Sequence, residues 1–374
     1  MIVYAIMLMF SIIMLFVAEK YKDKKKIRII AFILAALSFF LISALRYDLG
    51  TDYIRRYARD YIRIANGIDV KNLEIGFKLL IQLCILFSKD YIALFIVTSG
   101  IMIFFTFYII YKESPYPILS VLIYFCLGYF FHSLNIMREF LAISILLCSY
   151  KFLVNKKYIR FGIFALIAIL LHTSSIVFLI AIFLCNKEVF NLKRTVIITL
   201  LVIIFGKYLW PLISTNIISK TRFAMYIGSQ FDFGVVRKTD IIVNFLLYIL
   251  IYYLYKTSAD VGRKEKFFLN MQACTLIFTA GASMMYLILR LSFYFSIFNM
   301  ISIPYFLKKS NIEINKKKIL MAALLVLLIF NIYKRNIIKN VDEVVPYKTI
   351  FSEEKRFEKD WNMVINEEKR KNKN

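Results

Sequence analysis

Glycine and proline are scarce in this 374-residue chain, at 11 and 5 residues, which excludes a collagen-like or linker-like polymer. Cysteine is limited to five residues. Cys84, Cys126, Cys148, Cys185 and Cys274 lie singly in apolar runs without a CxxC pair, so a secreted disulfide scaffold is excluded as well. Histidine occurs twice, and the absence of HxxxH, HExxH and an outer DxD pair leaves metal chemistry without support. No Walker A or GxGxxG sequence is present, so ATP-driven transport and dinucleotide binding lack their motifs; no cofactor is expected. What the chain has in abundance is apolar surface. Hydrophobic residues make up 60%, Phe and Tyr number 36 and 25, and the mean hydropathy is +0.69. A water-soluble globule of this length cannot enclose that much apolar area. The expected fold is all-α: a polytopic integral membrane helical bundle of about 10–12 spans, some broken or re-entrant.

Lys and Arg outnumber Asp and Glu by 49 to 24, a net charge of +25. The lysines lie in short loops between apolar runs, the pattern of inner-leaflet anchoring rather than of nucleic-acid binding. Residues 1–18 read as a first span, because neither a basic n-region nor a small-residue cleavage site flanks them. Ten stretches qualify as crossings: 2–18, 28–45, 91–110, 116–131, 136–154, 195–213, 240–255, 267–289, 291–307 and 319–333. Two others are irregular. Residues 75–88 are short and carry Lys78 and Gln82, and 161–184 is interrupted by His172-Thr173-Ser174-Ser175. The Lys-rich loops 19–28, 256–266 and 308–318 belong inside by the positive-inside rule, which puts loops 46–74 and 214–239 outside. Keeping Lys156, Lys157 and Arg160 inside requires that neither irregular segment crosses. The expected organisation is a bundle over 1–333 and an extracytoplasmic or interfacial tail over 334–374.

Two amphipathic helices are expected. In 54–65, Ile54, Tyr57, Ala58, Tyr61, Ile62 and Ala65 share a face opposite Arg55, Arg56, Arg59 and Arg63, as a helix lying on the outer leaflet would. In the tail, Phe357, Trp361, Val364 and Ile365 share another.

Ionisable groups in or beside apolar segments are the candidates for chemistry. Arg138 and Glu139 sit just inside the span that starts at Ile136. His172 lies eleven residues from either end of its segment, roughly 16 Å deep at 1.5 Å per residue; a packing histidine satisfied by Thr173 and Ser174 is the commoner reading, and a base or donor to substrate is the other. Arg290 marks an outer turn, where a plain interfacial anchor is the simpler reading, and Arg222 and Tyr226 share that ambiguity. Arg46, Asp48 and Asp52 converge through the turn at Gly50.

Four segments in order resemble the EpsG family of bacterial membrane proteins, which belongs with Wzy-type polysaccharide polymerases: Arg46 with Gly50-Thr51-Asp52-Tyr53 and Tyr57; Glu74-Ile75-Gly76-Phe77; Asn135-Ile136-Met137-Arg138-Glu139; and Leu171-His172-Thr173-Ser174. Pro346-Tyr347-Lys348 is a looser match. Glu139 departs from the pattern, where Gln is expected in many relatives. The resemblance implies a glycosyltransferase that joins undecaprenyl-diphosphate-linked oligosaccharides into exopolysaccharide, capsule or O-antigen on the outer face. The partners it implies are that lipid-linked glycan, membrane lipids, a chain-length regulator and a flippase. Arginine suits the leaving diphosphate, so Arg46, Arg138, Arg222 and Arg290 are expected around one outer rim. Asp52, Asp48 or His172 would be the base, with Glu139 beside Arg138. Asn135, Tyr53, Tyr57 and Tyr226 would contact sugar. A lipid-linked glycan flippase and a membrane O-acyltransferase are the alternatives.

Overall fold

The structure is a computed structural model. It describes residues 1–371 apart from 221–223, 225, 230, 231 and 354, and apart from the side chains of Lys207 and Lys371. Among the described residues eighteen α-helices follow one another: α1 (Ile2–Lys20), α2 (Lys25–Ala44), α3 (Arg59–Ala65), α4 (Ile75–Phe87), α5 (Ile92–Glu113), α6 (Pro117–Cys126), α7 (Tyr129–Asn135), α8 (Met137–Val154), α9 (Tyr158–Leu171), α10 (Ala181–Leu184), α11 (Leu192–Asn216), α12 (Lys238–Lys256), α13 (Arg263–Ala280), α14 (Ile288–Leu291), α15 (Phe293–Ser296), α16 (Asn299–Lys309), α17 (Ile314–Ile332) and α18 (Arg356–Lys371). A π-helical stretch, Tyr53–Ala58, runs into α3, and another, Tyr333–Ile338, extends α17. A 3-10 helix, Thr173–Ile180, joins α9 to α10. Among the described residues there is no strand, and the only bridges are Arg46 with Thr349 and Ser258 with Ser310.

The outer helices carry the argument for a membrane. In α1 the buried positions are Tyr4, Met7, Ser11, Leu15 and Ala18, a single stripe. Ile2, Ile6, Met9, Ile13 and Phe16 project outward, 53–78% exposed. A helix apolar on its outward face as well as its inward one is in place only in lipid. Five helices are long and apolar enough to cross a bilayer, and seven segments are if each of two bent pairs counts as one span. All ten expected stretches are largely helical; the shortfall has physical causes. α8 carries Arg138, Glu139 and Lys151, and α13 opens with Arg263, Lys264, Glu265 and Lys266, so both carry too many charges. Residues 281–298 break into short pieces. The α6–α7 pair bends by 50° where Gly128 adopts a φ of +87°, a left-handed conformation suited to glycine. Within α11 the chain bends by 80° between Gly206 and Tyr208, four residues before Pro211, whose ring crowds the carbonyl at 207.

The chain forms two compact units, with boundaries inside α8, α9, the 3-10 helix Thr173–Ile180 and α17. The first holds residues 1–149, 162–175 and 328–374. In it α1 pairs with α2, α2 with α5, α4 with α5, and α18 with α3. Its core is aromatic: Phe39 lies edge-on to Phe130 at 4.9 Å, and Tyr53 stacks on Phe95 at 4.1 Å. The second holds residues 150–161 and 176–327, built around α13, which packs against α11, α12 and α15. All five cysteines are free and buried.

Candidate functional site

Three helix ends meet in the first unit. Glu74 is the extended residue before α4, Arg138 lies in the first turn of α8, and His172 sits at the break after α9, where the sequence places an interruption. Backbone bonds hold that break: His172 N–H donates to the Ala168 carbonyl at 2.8 Å, and Ser175 N–H to the His172 carbonyl at 3.0 Å. The Glu74 carboxylate joins the three. Arg138 Nη1 donates to its Oε2 at 2.7 Å, and His172 Nδ1 lies 3.2 Å from its Oε1. Glu74 and Arg138 are buried, and the His172 side chain is 15% exposed. Gly76 permits the approach. A Cβ there would stand 2.7 Å from the Leu170 carbonyl oxygen, so only glycine lets the start of α4 press on the end of α9.

Burial pushes the Glu74 carboxyl upward, but the hydrogen bond from His172 and the Arg138 charge outweigh it, and the group is held below the usual carboxylate range. With Nδ1 protonated and facing this carboxylate, a neutral His172 ring carries its lone pair on Nε2, which has no hydrogen-bond partner among the described residues. Asp60 of α3 is affected by the same surroundings: burial raises its carboxyl, against the opposing charges of Arg138, Arg56, Arg63 and Arg59.

The first motif packs beside the third. Gly50 has a φ of +84°, and a Cβ on it would meet Asn135 Oδ1 at 2.9 Å. Thr51 Oγ1 donates to the same oxygen at 3.1 Å. Asn135 therefore positions the turn. Asp48 has a left-handed φ of 47°. The Asp52 carbonyl accepts from the N–H groups of Arg56 and Tyr57, and its carboxylate makes no hydrogen bond among the described residues.

Several expectations need correction. Arg46 is not on an outer rim. It is fully enclosed, with Nη1 donating to the Ser43 carbonyl, Nη2 3.6 Å from Met137 Sδ, and its guanidinium 4.7 Å from the Phe95 ring centre. Tyr53 donates to the Arg46 carbonyl at 2.9 Å and, like Tyr57, is buried, so neither presents a ring face to a sugar. Glu139 is buried beside Arg138. Arg290 and Tyr226 are in the second unit, and Arg222 lies outside the described residues. The 54–65 segment is helical as expected, with Arg55 and Arg56 exposed and Arg59 and Arg63 partly covered by α18. Glu367 and Glu368 of α18 pair with Arg59 at 3.2 and 3.3 Å.

Two features escape a reading of the sequence. Glu74 stands out only as one member of a short motif, although an acid directly before an apolar helix is a signal. The second is an enclosed cluster in which His132 Nδ1 lies 2.8 Å from Asp342 Oδ1 and Arg335 Nη2 lies 2.6 Å from His132 Nε2. Burial raises the Asp342 carboxyl, but His132 and Arg335 bring it below its ordinary value. Gly128 makes room here too, since a Cβ would approach Arg335 Nε to 3.0 Å. Among the described residues no three His, Cys, Asp or Glu side chains gather as metal ligands would.

Neither the curated proteins nor the solved structures contain a match to this chain. The sequence profile of the EpsG family matches residues 29–349, which include every segment of the Glu74–Arg138–His172 centre. The chain belongs to the EpsG family, whose usual role is that of a Wzy-type polysaccharide polymerase.

Proposed function

We propose that the protein polymerises undecaprenyl-diphosphate-linked oligosaccharide repeat units at the outer face of a bacterial plasma membrane. The observation that carries this reading is the Glu74–His172 pair, with Nδ1 turned to the carboxylate and Nε2 open. A carboxylate that fixes one ring nitrogen orients the other as a general base. An acceptor sugar hydroxyl gives its proton to His172 Nε2 as its oxygen attacks the anomeric carbon of the donor. The bond from that carbon to the diphosphate oxygen breaks, and the lipid diphosphate departs with the electron pair.

Arg138 has two roles here. Nη1 holds Glu74, while Nε and Nη2 have no protein hydrogen bond among the described residues and are the donors for the departing phosphate. Asp60 sits within the same field of arginines. Asn135 and the Gly50–Thr51 turn frame the side on which acceptor binds.

Reconstitution with a single lipid-linked repeat unit tests the reading. The wild-type chain produces a polymer ladder, and His172→Ala and Arg138→Ala leave the single repeat on its lipid. Transbilayer movement without a ladder, an acylated product, or a normal ladder from Arg138→Ala would each replace the assignment.

A further inference from the structure

The arginines of α3 are the strongly basic motif that this mechanism leaves unused, and α18 covers them. Arg59 Nη2 lies 3.2 Å from Glu367 Oε2 and 3.3 Å from Glu368 Oε1, and Arg63 Nη2 lies 3.7 Å from Glu368 Oε2. The two guanidiniums are four residues apart on one helical face. Each also buries an Nε–H that has no hydrogen-bond partner. Arg63 Nη2 also donates to the Asp69 carbonyl at 3.2 Å. The two guanidiniums thus keep an unused donor each, and a tetrahedral phosphate offers more acceptors for the same forks.

The hold of α18 is uneven along its length. At its start, Arg356 grips Asp90 with two bonds, at 2.8 and 3.3 Å. Asp360 is buried and accepts from Tyr91 at 2.5 Å and from Tyr47 at 3.4 Å. At its far end, Arg59 and Glu367 are 28% and 45% exposed, and an ion pair so open to water contributes little, while Glu368 at 12% exposure is the closer-held partner. The last buried apolar anchor is Val364. The final turns can lift while the first turn stays clamped.

We infer that Arg59 and Arg63 form a binding face for lipid-borne phosphate beside the Glu74–Arg138–His172 centre, with Glu367 and Glu368 as resident competitors. The inference rests on the polymerase reading for the identity of the natural ligand, a polyprenyl diphosphate. Binding exchanges the two carboxylates for phosphate oxygens, and the end of α18 moves away from α3.

Hydrogen exchange on the full chain in nanodiscs tests this, in phosphatidylcholine alone, with added phosphatidylglycerol, and with added undecaprenyl diphosphate. Amides 364–371 are expected to exchange at least fivefold faster with undecaprenyl diphosphate, while 356–361 stay unchanged. Equal release by phosphatidylglycerol would support the phosphate face and assign it to bulk lipid. In direct binding, Glu367→Gln with Glu368→Gln tightens undecaprenyl diphosphate several-fold, and Arg59→Gln with Arg63→Gln weakens it about tenfold. A merely structural pair gives no tightening. Unchanged exchange with every phosphate lipid, or affinity unmoved by the glutamate variants, overturns the inference. Neither readout needs turnover, so a polymer ladder from a chain whose tail never lifts would sink this inference and leave the polymerase reading intact.

Discussion

Arg138 and Glu74 are a buried ion pair, and removing one partner leaves the other charged and enclosed. Arg138→Met is therefore expected to destabilise the protein by about 3–5 kcal/mol. Arg138→Met with Glu74→Gln should regain most of that loss and remain inactive, because His172 has lost its orienting carboxylate. Thermal unfolding in detergent across pH checks the electrostatics. The Glu74 carboxyl is depressed in the folded state from an ordinary value of 4.5. Its contribution is then complete above about 4.5, shrinks as pH falls below that, and is gone once pH passes under the folded value. The gap between wild type and Glu74→Gln should be flat from pH 7 to 5 and narrow in more acidic buffer; a gap that widens toward acid would contradict the assignment. At this scale the sequence is partly legible. His172 and Arg138 stand out because an ionisable group among apolar neighbours needs a reason. That argument cannot separate a working arginine from an enclosed one, and so it misplaces Arg46, whose surroundings come from segments as distant as Ser99 and Met137.

At the scale of elements, the centre depends on how two helix ends touch. The Leu170 carbonyl stands where a Gly76 side chain would be, so Gly76→Ala must push α4 off α9 and draw Glu74 away from His172. We expect Gly76→Ala to fold and to lose most polymerisation. Gly162→Ala, in the same α9 with open space around it, should keep full activity and gain slightly in helix propensity. Gel ladders and melting curves of the two variants, run together, decide the matter. Equal activity in both would remove Gly76 from the account. The runs that form helices are legible because lipid demands long apolar segments. The bends at Gly128 and 206–208 are not, since a glycine or proline in an apolar run marks a permitted break without saying that tertiary packing uses it. The α18 amphipathic face is readable from its period, whereas its partner on α3 is about 300 residues away in sequence.

For the whole molecule, orientation follows from charge. The Lys-rich segment around Lys156 and Lys157 is proposed to face the cytoplasm, together with loops 19–28 and 256–266. A membrane-impermeant thiol reagent should leave Lys157→Cys unlabelled in intact cells and label it after permeabilisation; labelling in intact cells would invert the scheme for 75–184. The enclosure of all five native thiols has a practical result. The natural chain is its own silent background, so spin labels or fluorophores can be placed at single engineered positions without first building a thiol-free version whose altered interior would have to be checked.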